Sequence, residues 1–589
     1  GTYNYFDDHG THVAGIIGAA MNGTGTMGVA PGVTISNVAV FDDYGWASGI
    51  TTSSAMGRVV ADGARVTNMS YGPTTAGDFA HYETLQAIST YRADTVAVVS
   101  AGNSGVKLKN ESWSLQSNPL DNLIIVGSVD ADKTPSYFSN TPSEACFRTS
   151  GSCAEANKFK YRFLMAPGGA YIDSTAANGG YMGMAGTSMA APHVAGAAAL
   201  VMSEWTHLTP AETAQILFQS AEDLGQAGVD SVYGWGLLRV DQAFQPIGQQ
   251  QVATGATVGG GGASAQSTKL VLPAALGTAG AVRNALAGAV VFDDFGRDFK
   301  ADTQGWTLTR SSAVDLTEHL ARSTMVAERG AAFTVPLSGS FNLTSVVPPV
   351  ARAEEGPGRR FTTDPARADE TDGPVWRIDG GFGDMRVSFG QGFAFGEVLD
   401  GPRSSAASAP LFLTDAGRAD QPLLAFAEGG AFGLSRYVVA DGLDVSFGFT
   451  ETTIEDVTPG MKGDGRAFVT QASFQPARSI DLRLTQTFLD ETDMTLGGLS
   501  GGALKLGSGA RTLATGVSAT VEPVPALRVH LHMTEAVTSL DEADGSLFRS
   551  VGDLRSRSYG ASVTRLGIFG ASDELGFNVT RPLRIHTGS

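Results

Sequence analysis

The chain has 589 residues, too many for one hydrophobic core, so two or three domains are expected. It carries 75 glycines, 17% charged residues, and 40 Lys+Arg against 59 Asp+Glu, a formal charge of −19 that argues against nucleic acid as the main partner. No uninterrupted apolar run reaches transmembrane length: Met189–Met202 is short, and Leu270–Phe292 is broken by Pro273 and Arg283.

Phe6-Asp7-Asp8-His9-Gly10-Thr11-His12-Val13-Ala14-Gly15 opens the chain, with Asp7 or Asp8 as cap of a predicted helix through Ile16, Ile17, Ala19 and Ala20. The two histidines, three apart, lack a nearby third ligand and make a poor metal pair. Met21–Pro31 is a loop of small residues without a carboxylate. Val33–Phe41 reads as a buried strand, Ile50–Asp62 as a helix, and Arg65–Gly72 as a strand ending in a loop. Phe79–Tyr91 is helix-like, Thr95–Ser100 is a continuous apolar strand, and Asn122–Val129 and Arg162–Ala166 continue the sheet. Strand–helix alternation of this kind predicts a parallel sheet covered on both faces, with a ligand at the carboxyl ends of its strands. Ser70-Tyr71-Gly72 and Ala101-Gly102-Asn103 fall at those ends. Cys146 and Cys153 lie close together in a Ser/Thr/Gly-rich stretch, and a bridge between them would need an oxidising compartment.

Gly186-Thr187-Ser188-Met189-Ala190-Ala191-Pro192-His193-Val194-Ala195-Gly196 reads as a sharp loop, a serine, then a helix of small apolar residues. A serine at a helix start meets unpaired N–H groups and the positive end of the helix dipole, where an oxyanion is welcome. Pro192 fits that start if it falls among the first-turn residues, whose N–H groups have no intrahelical partner. A second amphipathic helix, Thr209–Ser220, follows with Pro210 at its start.

These eleven residues resemble the nucleophile segment of the subtilisin-like serine proteases, and the first ~240 residues are of the length expected for one such domain. The resemblance implies Ser188 as nucleophile. The Phe6–Gly15 segment resembles the family's catalytic-histidine segment, which implies His9 as general base and acid and His12 as a packed, hydrogen-bonded neighbour. Ser100-Ala101-Gly102-Asn103-Ser104-Gly105 resembles the oxyanion segment, which implies the Asn103 amide as a donor to the tetrahedral intermediate. Ser70, Tyr71 and Gly72, with Ser100, Ala101 and Gly102, resemble the two backbone edges that hold an extended substrate as an added strand. No cofactor is required; the family's calcium loop would implicate Asn22 in a structural calcium site, although calcium favours carboxylate oxygens. Tyr233–Val240 resembles the closing segment, so the peptidase domain is expected to span 1–246.

A triad needs an aspartate that orients the base. In the family it comes from a strand upstream of the histidine, whereas only eight residues precede His9 here, and Asp7 and Asp8 are its sequence neighbours. The expectation is an N-terminally incomplete protein without the Asp strand, any signal peptide or any propeptide.

Residues 247–268, with Gly259-Gly260-Gly261-Gly262, read as a flexible linker; 269–346 carries no assignment; 347–374, rich in Pro, Arg, Glu and Asp, reads as a second linker. From Val375 apolar residues alternate: Leu443, Val445, Phe447 and Phe449 share a face, as do Ile480, Leu482, Leu484 and Phe488. Leu527, Val529, Leu531 and Met533 do the same, as do Leu575, Phe577 and Val579. Antiparallel strands with two unlike faces follow, either an outer-membrane barrel with the apolar face in lipid or a soluble sandwich with that face inside. A subtilase domain before such a region resembles the autotransporter serine proteases of Gram-negative bacteria, although the C-terminal Ser589 departs from the terminal aromatic of a barrel.

The expected fold class is thus an α/β subtilisin-like domain followed by a β-rich region, possible as an outer-membrane β-barrel. The expected function is a secreted or cell-surface serine endopeptidase acting on proteins or peptides. The alternatives are a non-catalytic binding module on a degenerate protease fold and, for the C-terminal part alone, a pure export barrel.

Overall fold

The computed structural model describes residues 5–42, 44–112, 120–148, 153–169, 171–255, 262–272, 279–309, 333–338, 341–346, 375–392, 395–400, 421–427, 429–455, 461–548, 551–568 and 574–587. They belong to two compact units, one of Gly1–Gln249 with Asp293–Arg297, the other of Gln250–Phe292 with Asp298–Ser589.

The first unit runs α1 (Tyr5–Gly18), α2 (Gly49–Ala61), β1 (Val66–Met69), α3 (Tyr82–Thr90), β2 (Val96–Ser100), β3 (Leu123–Val129), β4 (Phe163–Pro167), β5 (Ile172–Thr175), β6 (Tyr181–Met184), α4 (Thr187–Glu204) and α5 (Pro210–Gln219). β1 to β4 lie side by side in chain order, and every pair is parallel. β2 and β3 are buried along their whole length, which their uninterrupted apolar sequences allow in a sheet covered on both faces. Leu85 and Ile88 of α3 join Val99, Leu123, Ile125 and Phe163 in the core. Two helix starts follow from local chemistry: Ser48 caps α2 by accepting from Thr51 N–H at 3.1 Å, and Thr209 with Glu212 forms a reciprocal capping box on α5.

Three local expectations are corrected. α1 begins at Tyr5, so Asp7 and Asp8 lie inside the helix rather than capping it. Val33–Phe41 forms no strand: no described strand pairs with it, and Val33, Ile35 and Phe41 stay exposed, since an apolar run becomes a strand only where a ladder partner satisfies its backbone. Residues 251–253 and 262–264, read as linker, pair with each other antiparallel, and 251–252 also pair with 291–292.

Cys146 and Cys153 are joined as a disulfide. Residues 293–297 return to the first unit through Arg297, whose side chain is fully buried. Its guanidinium donates to Asp293 Oδ2 at 2.7 and 2.9 Å and to the carbonyls of Ala243 and Gln245, and it lies 4.7 Å from the Trp205 ring centre.

The second unit is dominated by a twelve-stranded antiparallel sheet, β7 to β18. Its strands are β7 (Phe333–Ser338), β8 (Phe341–Val346), β9 (Val375–Phe382), β10 (Met385–Gln391), β11 (Ala431–Ala440), β12 (Leu443–Glu455), β13 (Lys462–Ala477), β14 (Ile480–Thr492), β15 (Gly509–Val524), β16 (Leu527–Leu540), β17 (Leu554–Leu566) and β18 (Glu574–Thr587). The sheet therefore starts at Phe333, inside the segment left unassigned from sequence; the expected linker 347–374 lies outside the described residues. Large apolar side chains stand exposed on one face of the sheet's long strands, and many polar ones are buried on the other. Phe447, Phe449, Phe468, Leu484, Leu531, Phe577 and Val579 are exposed, while Ser446, Gln471, Thr485, Thr487, Thr512, Thr534 and Thr538 are buried. Beside those polar groups, Phe395, Leu399 and Leu424 pack on the same buried face against Ala467, Val469 and Ala514. No helix among the described residues is long and apolar enough to cross a membrane.

Candidate active site

α4 leaves the β5–β6 hairpin through Ala185 and Gly186, and Ser188 is its second residue. Gly186 caps it at φ 155°, and a Cβ there would lie 3.3 Å from Asn103 Nδ2, so this turn is reserved for glycine. Asn103 Oδ1 accepts from Thr187 N–H and from Thr187 Oγ1, each at 2.8 Å. Thr187 Oγ1 in turn accepts from Gly102 N–H at 3.2 Å. With its oxygen committed, the amide presents Nδ2 as donor, and neither Nδ2 nor the Ser188 N–H has an acceptor among the described residues. Two donors at a helix start suit a developing oxyanion.

Pro192 is not in the first turn. It is the sixth residue of α4, where an N–H at that position would have bonded the Ser188 carbonyl. That carbonyl accepts instead from Ser70 Oγ at 2.8 Å, and Ser188 Oγ donates to the Ser70 carbonyl at 3.2 Å.

His9 is half-buried on α1, one turn before Val13, which packs with Ile16, Met184 and Met189. Residues four apart share a helix face, so His9 stands on the side of α1 that meets the residue after Ser188. Burial lowers its pKa, the neighbouring His12 lowers it further, and it has no hydrogen bond among the described residues. α1 itself is bolted to the hairpin. His12 is fully buried with Nε2 at 2.8 Å from the Ile172 carbonyl and 3.0 Å from that of Met182. Ser174 Oγ donates to the His12 carbonyl and Thr175 Oγ1 to that of Thr11, at 2.8 and 3.0 Å. Buried Asp8 accepts from Ala177 N–H at 2.5 Å, so it holds the hairpin rather than His9.

The two expected substrate edges differ. Tyr71 and Gly72 have no backbone hydrogen bond among the described residues, and the Tyr71 ring meets Phe41 edge-on at 5.5 Å, with burial pushing its hydroxyl pKa up to about 12. Ser100 belongs to the β2 ladder, Ala101 N–H donates to Val126 O at 2.9 Å, and Gly102 N–H is held by Thr187. Asn140 covers the Ala101 and Gly102 carbonyls, by Nδ2 at 2.9 Å and by its N–H at 3.0 Å. The backbone groups of Ala101 and Gly102 are thus already engaged within the fold, unlike those of Tyr71 and Gly72.

Asn22 is also poorly suited to calcium. Its Oδ1 accepts from Thr24 N–H and Oγ1 at 3.1 and 3.0 Å in an exposed turn, and no cluster of three metal-binding side chains occurs among the described residues.

Sequence reasoning missed Thr187 and the hairpin that joins α1 to α4. The hairpin had a signal: Asn178-Gly179 between two short runs, with Gly179 at φ 80°.

A family model described as the subtilase family matches residues 1–236. Subtilisin DY of Bacillus licheniformis is 34% identical over 238 residues, covering 40% of this chain and 77% of that protein. The chain belongs to the subtilase family. Subtilisin of Bacillus pumilus is 33% identical to this subtilase over 41% of the chain and 79% of the relative. Subtilisin E of Bacillus subtilis (strain 168) is 33% identical over 41% of the chain, which spans 57% of that protein. Among solved structures the subtilase is similar to the prenylagaramide maturation protease PagA, at 28% identity over 40% of this chain and 80% of that one, with a TM-score of 0.33. The family assignment rests on the sequence relatives.

Proposed function

We propose that the first unit is a serine endopeptidase that hydrolyses peptide bonds of proteins through an acyl-enzyme. The observation that carries this reading is Asn103, locked by Thr187 so that its Nδ2 stands free beside the start of α4, where Ser188 lies. In this reading an extended substrate pairs with the free backbone of Tyr71 and Gly72. His9 takes the Ser188 Oγ proton as Oγ attacks the peptide carbonyl carbon. Asn103 Nδ2 and Ser188 N–H hold the oxyanion, and His9 then passes the proton to the leaving amine. Water, deprotonated by His9, releases the acid and restores Ser188. Asp8 is not proposed as the aspartate of the triad, since it is committed to Ala177.

We further propose that the exposed apolar face of β7–β18 lies in the outer membrane of a Gram-negative bacterium, with the peptidase at the cell surface or released from it. An apolar face outward and a polar face buried is the pattern lipid requires, and the Cys146–Cys153 disulfide fits an oxidising, extracytoplasmic site.

The test is labelling of the full chain in detergent with a fluorophosphonate probe. Label on the parent that is lost in Ser188→Ala supports an activated nucleophile. A folded parent that never labels points to a binding module. Heat-modifiable migration of the same protein on gels supports the membrane sheet, and its absence counts against it.

A further inference from the structure

The nucleophile sits in a helix that lacks one of its own hydrogen bonds. Pro192 has no N–H, and its intrahelical acceptor would have been the carbonyl of Ser188. A helix carbonyl left open in the buried stretch Met189–Pro192 is costly unless another donor reaches it. Ser70, 7% exposed at the end of β1, reaches it with Oγ at 2.8 Å. The Ser70 proton is directed there, because Oγ accepts from Asn68 Nδ2 at 3.0 Å and so turns its own hydrogen to Ser188.

We infer that Ser70 is a positioning residue: its hydroxyl stands in for the N–H that Pro192 lacks and fixes the Ser188 peptide, aiming both the nucleophile and its oxyanion-binding N–H. This rests on the reading of Ser188 as nucleophile. The role differs from that of the Ser70 carbonyl, which accepts from Ser188 Oγ. A side chain, rather than the helix, then ties the catalytic helix to the sheet, so that β1 and α4 move as one at the point of chemistry.

The experiment compares fluorophosphonate labelling of the full chain for the parent, Ser70→Ala, Ser70→Thr, Pro192→Ala and the double Ser70→Ala/Pro192→Ala. Ser70→Ala is expected to lower the maximal labelling rate about tenfold, the size of one lost hydrogen bond, with the half-saturating probe concentration unchanged. Ser70→Thr keeps the hydroxyl and should label near the parent rate. In the double variant the alanine introduced at position 192 supplies the missing N–H to the Ser188 carbonyl, so the rate should return to within about threefold of the parent. A double variant as slow as Ser70→Ala, with an unchanged melting temperature, overturns the inference, as does Ser70→Ala at the parent rate. If Ser70→Ala fails to fold, recovery of fold and rate together in the double variant supports the inference, and a folded double variant that labels slowly overturns it. Equal labelling of the parent and Ser188→Ala would instead remove the nucleophile reading itself, and the inference with it.

Discussion

Asn103 and Thr187 are joined twice: the asparagine oxygen takes both the N–H and the hydroxyl hydrogen of the threonine, each at 2.8 Å. The pair settles which end of the amide faces the site, because only the oxygen accepts.

Asn103→Ala should therefore slow labelling of Ser188 by about 10²–10³, the scale seen when one oxyanion donor is removed from a subtilisin. Thr187→Val, which keeps the helix N–H but loses the hydroxyl, should cost about tenfold by freeing the amide to rotate. Stopped-flow labelling rates on both variants check this.

The pH dependence follows from His9. In the proposed mechanism the base acts as neutral imidazole, and burial followed by the influence of His12 lowers the His9 pKa from 6.5. Protonation that switches the base off is therefore delayed on acidification, and the acid limb of the rate profile should fall below pH 6.5. His12→Gln removes the smaller cause only, so the limb should move up part of the way towards the ordinary histidine value. A limb above that value in the parent would contradict this account.

Arg297 is a buried charge with its partners in place. Arg297→Ala leaves Asp293 unpaired in the interior and should destabilise the first unit by about 3–5 kcal/mol, read as a lower denaturant midpoint. Replacing both, Arg297→Met with Asp293→Asn, should cost less than the single change, since no orphan charge remains and the amide oxygen still accepts from the N–H groups of Phe295 and position 297.

On the large sheet, Phe468 is 55% exposed and Gln471 is 2% exposed on the opposite face of the same strand. Phe468→Arg should destabilise the sheet in lipid by about 2–4 kcal/mol if it lies near mid-membrane, whereas Gln471→Ser should be tolerated. Unfolding from vesicles in urea measures both.

Much of this was legible in the chain. His9, Ser188 and Asn103 each lie in a short contiguous segment, His9 within a helix, Ser188 at a helix start and Asn103 after a strand, whose residue pattern carries the signal. The helix Gly49–Ala61, and strands β2 and β3, match their apolar patterns within a residue or two. Val33–Phe41 misled because a strand needs a partner, and composition cannot supply one. The role of Pro192 misled because a cap shifted by a few residues changes which carbonyl goes unpaired. The alternation from Val375 identified two unlike faces, but period-two spacing is the same whichever face meets solvent.

Sequence alone thus determined the family, the loop-to-helix segment that holds Ser188 and the antiparallel character of the C-terminal strands, all properties of short windows. Tertiary structure decided which way the sheet faces, that Asp8 serves the hairpin, that Ala101 and Gly102 are already paired, and that Ser70 answers Pro192. Each of those depends on a hydrogen bond or a burial shared between residues far apart in the chain, and no local pattern encodes the partner.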